Sequence, residues 1–224
     1  NLDSTPPSAV RLPLTKPSAI HGVQFSPDGL LGITTGGGGN VSTWDAATGR
    51  LIANLVGHTD AVQSVAFSRD SRLVATGASK LIERENEYSG EVWLWDPKTG
   101  KPLAAPIRLP MPVNHLAISP DGHSLVICWT PARSPDYGVA QVWDISTREP
   151  LGPPIVHRGR ISQAAFSPDG NRLVTAFADS TLGPCQAQVW NPLTGAAIAP
   201  AIQHRDGVQA ASFSPDGKWI LTAS

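Results

Sequence analysis

Apolar residues along this chain gather in short runs separated by turn-forming residues. Within one representative stretch the runs fall at residues 62–67, 73–78, 91–95 and 102–108. Each is rich in Val, Leu, Ile or aromatic side chains, and each is bounded by Ser, Asp, Gly or Pro. Runs of this length between such breaks predict β-strands. The spacing of the breaks then shows that the pattern repeats.

One phrase recurs: Phe25-Ser26-Pro27-Asp28-Gly29, Phe67-Ser68-Arg69-Asp70-Ser71, Ile118-Ser119-Pro120-Asp121-Gly122, Phe166-Ser167-Pro168-Asp169-Gly170 and Phe213-Ser214-Pro215-Asp216-Gly217. Its intervals are 42, 51, 48 and 47 residues. A second phrase, Trp44-Asp45, Trp95-Asp96, Trp143-Asp144 and Trp190-Asn191, keeps step at 51, 48 and 47. Four strands per unit at roughly 40–50 residues is the pattern of a propeller blade. Ser-Pro-Asp-Gly joins the first two strands, with proline presetting φ and glycine accepting the left-handed position. Ser71 and Arg148 stand where glycine belongs, so strain or a different loop is expected at Ser71 and a weaker hairpin at Arg148.

With a histidine nine residues before the repeat phenylalanine (His58, His157, His204), these phrases resemble the WD-repeat family over residues 8–224. The resemblance implies an all-β fold, a β-propeller arc of four-stranded antiparallel blades. The blades are expected at 17–56, 60–108, 112–156 and 160–203, with a partial blade at 207–224 and a leading outer strand within 1–14. It also implies an arc of a larger ring, most often of about seven blades, that self-associates when isolated. Phrases such as Pro150-Leu151-Gly152-Pro153-Pro154-Ile155 resemble bacterial WD-repeat arrays, which implies part of a larger signalling or regulatory protein.

The family uses its histidine in a buried network with a Ser or Thr on the second strand, the Trp of the third, and an Asp in the loop between them. Carried onto this chain, the network residues are His58, Thr76 and Trp95; His157, Thr175, Asp179 and Trp190; and His204 with Thr222. Lys80 stands at the Asp position of the second repeat. In the third repeat Leu109 replaces the histidine and Ile127 the threonine. Losing both polar members together is what a structural role predicts, because a half-satisfied buried network costs more than an apolar one. His21 and His115, on first strands, have no partner that the sequence identifies.

Net charge is −1 and the pI about 6.6, so no long-range field attracts nucleic acid or an acidic membrane. No apolar run approaches the ~18–20 residues of a membrane span. A cytoplasmic setting is favoured. No metal or cofactor motif is present, and Gly36-Gly37-Gly38-Gly39 lacks the following Lys-Ser/Thr of a phosphate loop. Cys128 reads as a small core residue and Cys185 as a loop residue. Trp93 and Trp219 are expected at the surface or as lids on the flank.

Loops between second and third strands are expected to be expanded at 79–90, 130–138 and 178–186, sharing one rim with the connections between blades. That rim offers Arg84, Tyr88, Arg133, Tyr137, Arg158, Arg160 and Arg205, types favoured where proteins bind. The sequence therefore points to a scaffold that holds other proteins or peptides and binds neither nucleic acid nor membrane. The rival readings are a hydrolase or lyase with a site in the channel, and a periplasmic propeller.

Overall fold

A computed structural model describes residues 19–82, 87–131, 137–178 and 185–224, with backbone alone at 81, 82, 87, 88 and 178. Arg84, Arg133, Asp179 and the proposed strand at 8–14 lie outside the described residues. The described chain is all-β, apart from a single 3-10 turn at Gly37–Gly39.

Blade 1 is β1 (Ile20–Phe25), β2 (Leu31–Gly36), β3 (Val41–Asp45) and β4 (Leu51–Asn54). Blade 2 is β5 (Val62–Phe67), β6 (Val74–Ile82), β7 (Glu87–Trp95) and β8 (Ile107–Leu109). Blade 3 is β9 (Val113–Ile118), β10 (Ser124–Trp129), β11 (Tyr137–Asp144) and β12 (Ile155–Arg158). Blade 4 is β13 (Arg160–Phe166), β14 (Leu173–Ala178), β15 (Cys185–Trp190) and β16 (Ile202–His204). A two-stranded sheet follows, β17 (Ala210–Phe213) and β18 (Ile220–Ala223). Each sheet pairs antiparallel in chain order, so the fold is a propeller arc.

The turns explain the regularity. In each repeat the serine hydroxyl donates to the aspartate two residues on: Ser26 to Asp28, Ser68 to Asp70, Ser119 to Asp121, Ser167 to Asp169 and Ser214 to Asp216. That hydroxyl holds each aspartate below its ordinary pKa. Ser71 keeps the turn by adopting φ 60°, and its N–H donates to Ser68 O at 2.9 Å. Its hydroxyl also accepts from the backbone N–H of Asp28 in blade 1, at 3.1 Å. Arg148 likewise takes φ 61° and keeps its hairpin, its N–H donating to Asp144 O at 2.8 Å. Its guanidinium reaches back to Ala105 O of blade 2 at 3.2 Å. Both departures from glycine carry a left-handed strain, and both side chains hold on to the preceding blade.

Blades pack through alternating apolar faces. Val92, Leu94, Ile107, Val113, Leu116, Leu125 and Ile127 fill the space between blades 2 and 3. Along the inner wall a second ladder runs, always from the residue three before the repeat phenylalanine. Ser64 Oγ accepts from Leu116 N–H (2.9 Å), His115 Nε2 donates to Ala164 O (3.0 Å), and Gln163 Oε1 accepts from Ala211 N–H (3.1 Å). His115 thus has a partner that the sequence did not reveal. Its burial holds its pKa below the ordinary value.

Three expectations need correction. The stretch 79–90 is not a wide loop: β6 and β7 stay paired out to Ile82 opposite Glu87, which makes a long hairpin of two nine-residue strands. Tyr88 therefore sits on a strand. Cys185 opens β15 and is buried, because the strand starts earlier than its polar neighbours imply. The outer strand of blade 2, expected over 102–108, is confined to Ile107–Leu109 plus a bridge from Trp95 to Pro102. Pro102 and Pro106 cannot donate to a ladder.

Candidate partner-binding site

Connections between second and third strands, and those leading from one blade to the next, lie at the same end of the sheets. Close backbone contacts tie them together. A Cβ on Gly39 would stand 2.0 Å from His58 O, one on Gly90 2.2 Å from Met111 O, and one on Gly138 2.6 Å from Gly159 O. Each glycine lies five residues before a repeat tryptophan, a signal that sequence reading missed. In blade 4 that position is Cys185.

Beneath this rim, His58 Nε2 lies 2.7 Å from Thr76 Oγ1, and Trp95 Nε1 donates to the same hydroxyl at 2.7 Å. The remaining ring nitrogen, Nδ1, lies 2.9 Å from Glu91 Oε1. The acid comes from the opposite strand of the hairpin rather than from position 80, because Glu91 pairs in register with Ala78. Burial holds the His58 pKa below its ordinary value even though Glu91 pulls it upward. Trp93 stacks on Trp95 with ring centroids 5.1 Å apart, as a lid on this cluster.

In the blade 4 network, His157 lies 3.1 Å from the Thr175 hydroxyl, to which Trp190 Nε1 donates at 2.9 Å. Phe177 and Trp190 pack on its ring, and burial pushes its pKa down to about 4. His204 differs. Its Nδ1 contacts Ser224 Oγ at 3.1 Å, while its buried Nε2 has no hydrogen-bond partner among the described residues, so Thr222 is not engaged. Trp219, just before β18, is 74% exposed.

The network positions of blade 3 are filled by Leu109, at the end of β8 in blade 2, and Ile127, on β10, both buried. The blade 3 tryptophan, Trp143, has a buried Nε1 without a partner among the described residues. Burial also pushes the Cys128 thiol pKa upward.

At the rim itself, Tyr137 is 41% exposed and pairs across the strands with Arg158. Arg158, Arg160 and Arg205 are exposed. Among the described residues no group of three His, Cys, Asp or Glu is placed to hold a metal. The arrangement offers cationic and aromatic contact groups on a rigid frame, with two of its histidines engaged on threonine hydroxyls below.

The WD domain, G-beta repeat family matches residues 49–96, 149–182 and 201–224. The chain carries WD repeats. Between the first two matched segments lie residues 97–148, which include Leu109 and Ile127 in place of the network histidine and threonine. The WD repeats are similar to those of WD repeat and SOCS box-containing protein 1. They are 40% identical to the Danio rerio protein over 60 residues, 27% of this chain and 14% of that one. They are 34% identical to the Takifugu rubripes protein over 109 residues, 48% of this chain and 23% of that one. Eukaryotic translation initiation factor 3 subunit I of Pyricularia oryzae is 29% identical over 108 residues, 48% of this chain and 29% of its own length. The matched stretches thus span less than a third of these relatives.

Proposed function

We propose that these WD repeats form a protein-interaction scaffold that captures partners on the rim bearing Tyr137, Arg158, Arg160 and Arg205, and that they catalyse no reaction. One observation carries this reading. His58 and His157 are committed to inter-strand networks, while the exposed side chains above them make no bond within the described chain. Rigid frames with unspent aromatic and arginine side chains are where hot spots form. The name of one relative, a subunit of a translation initiation factor, is in keeping with a role in assembly.

The test is capture by the tagged chain from its own cells, read by quantitative mass spectrometry. Replacing Tyr137, Arg158, Arg160 and Arg205 with alanine should abolish capture and leave the melting temperature within about a degree. Replacing Arg50 and Lys101, at the other end of the sheets, should change neither. Capture that survives the rim changes would sink the assignment.

Self-association belongs to the same proposal. Phe25 is 69% exposed on the first blade where its counterpart Phe67 is 8% exposed, and Leu221 is 75% exposed on the last sheet. Such faces associate to leave water. Light scattering of the 224-residue chain at micromolar concentration should show oligomers, and a single monomer species would count against the idea.

A further inference from the structure

The arginines of the rim are not scattered. Arg158 directly follows the network histidine His157, and Arg205 follows its counterpart His204. Arg160 lies one residue beyond Gly159. The equivalent positions at the other two junctions are Thr59 and Pro110, so an arginine directly after the network position occurs only at the last two. The shape of this cationic strip is set by the backbone. Gly159 is buried at φ 102°, a conformation that glycine accepts and other residues resist. Gly138 leaves no room for a Cβ against the Gly159 carbonyl. This close passage holds Arg158 at the end of β12 and Arg160 at the start of β13.

Two residues of chain put the Arg158 and Arg160 Cα atoms at most about 7 Å apart. Arg160 pairs with Ala178 at one edge of blade 4, and Cys185 pairs with His204 at the other. Arg205 therefore stands about three strand spacings, roughly 14 Å, from Arg160. Among the described residues none of the three side chains makes an ion pair or hydrogen bond, not even with Asp206 beside Arg205. Tyr137 lies beside Arg158 without stacking on it.

Resting on the scaffold reading above, we infer that this strip binds an extended acidic segment of a partner protein. An extended chain advances about 3.4 Å per residue, so alternate side chains on one face are about 7 Å apart. The strip then fits carboxylates at a first, third and seventh position. Arg158 and Arg160 take the closer two, Arg205 takes the far one, and Tyr137 packs against the intervening chain. A nucleic acid fits less well: the strip has three cations among the described residues, Asp206 interrupts it, and the chain as a whole is net negative.

The test is fluorescence anisotropy with a labelled Ser/Gly peptide carrying glutamate at the first, third and seventh positions. The whole chain should bind it in a salt-sensitive manner. It should bind the glutamine version, and a version with three adjacent glutamates, at least about tenfold more weakly. Arg158→Ala, Arg160→Ala and Arg205→Ala together should weaken binding at least about tenfold, with an unchanged melting curve. Arg50→Ala should have no effect. The inference is overturned if the glutamate peptide fails to bind, if the glutamine peptide binds equally well, or if a single-stranded oligonucleotide of equal charge binds more tightly. If the peptide fails while cellular capture is still lost in the rim variant, the scaffold reading stands and only the acidic partner class is excluded.

Discussion

Blade 2 anchors the entry to its inner strand with His58, Thr76, Trp95 and Glu91, whereas blade 3, packed directly against it, anchors the same point with Leu109 and Ile127. Both solutions exclude water. Blade 2 gains directional bonds, and with them two ring nitrogens and an indole N–H that all need partners. Blade 3 needs almost none, and among the described residues each blade leaves one buried indole N–H without a partner, Trp93 Nε1 in blade 2 and Trp143 Nε1 in blade 3. Blade 1 keeps an intermediate form: Trp44 Nε1 donates to Thr34 Oγ1 at 2.9 Å although Lys16 stands at the histidine position in the sequence, so the Thr–Trp pair is a unit of its own and the histidine is added to it.

The comparison breaks most visibly at the shared hydroxyl. Thr76→Val removes the acceptor for Trp95 and the partner of His58 at once, and should cost about 3 kcal/mol in urea unfolding. Ile127→Val in blade 3 should cost about 1 kcal/mol. Equal losses would mean that the network contributes no more than packing.

Acid should separate the blades next. Burial sets the folded-state pKa of His58 and His157 below 6.5, so the folded protein binds fewer protons than the unfolded one. Their contribution is complete above pH 6.5 and is lost as pH falls from there, for His157 toward about 4. For His157 the loss approaches about 1.4 kcal/mol per pH unit within that window. Giving blade 4 the apolar solution, His157→Leu with Thr175→Ile, should flatten the urea midpoint between pH 7 and 5. An unaltered slope would place the acid sensitivity elsewhere.

The smallest effect sharpens the comparison. Leu109→His buries an imidazole without a partner, and Ile127→Thr alone gives Trp143 an acceptor at the loss of packing. The double change should be more stable than the sum of the two by about 1 kcal/mol. Additive losses would show that blade 3 has relaxed beyond accepting the network.

The strands and turns were legible because each depends on a few neighbouring residues: Ser26 with Asp28, or Asp45 with Thr48, recur at fixed offsets. The His–Thr–Trp triads were legible because the repeat multiplies one spacing. Glu91 was not, since it reaches His58 by cross-strand register rather than by distance along the chain. His204 and Thr222 show the converse: the spacing is kept, yet His204 contacts Ser224 instead and its Nε2 has no partner among the described residues. The pairing of Ile82 with Glu87 was hidden by the polar composition of the hairpin.

The inner-wall ladder has a consequence for observing the molecule in motion. Two of its rungs are backbone amides, Leu116 N–H held by blade 2 and Ala211 N–H held by blade 4. Their exchange with deuterium is blocked by a neighbouring blade rather than by their own sheet, so each amide clocks the parting of a single seam. The seam between blades 3 and 4, closed by the His115 side chain on Ala164 O, is silent to deuterium at that rung. It would instead announce itself in the imidazole resonances.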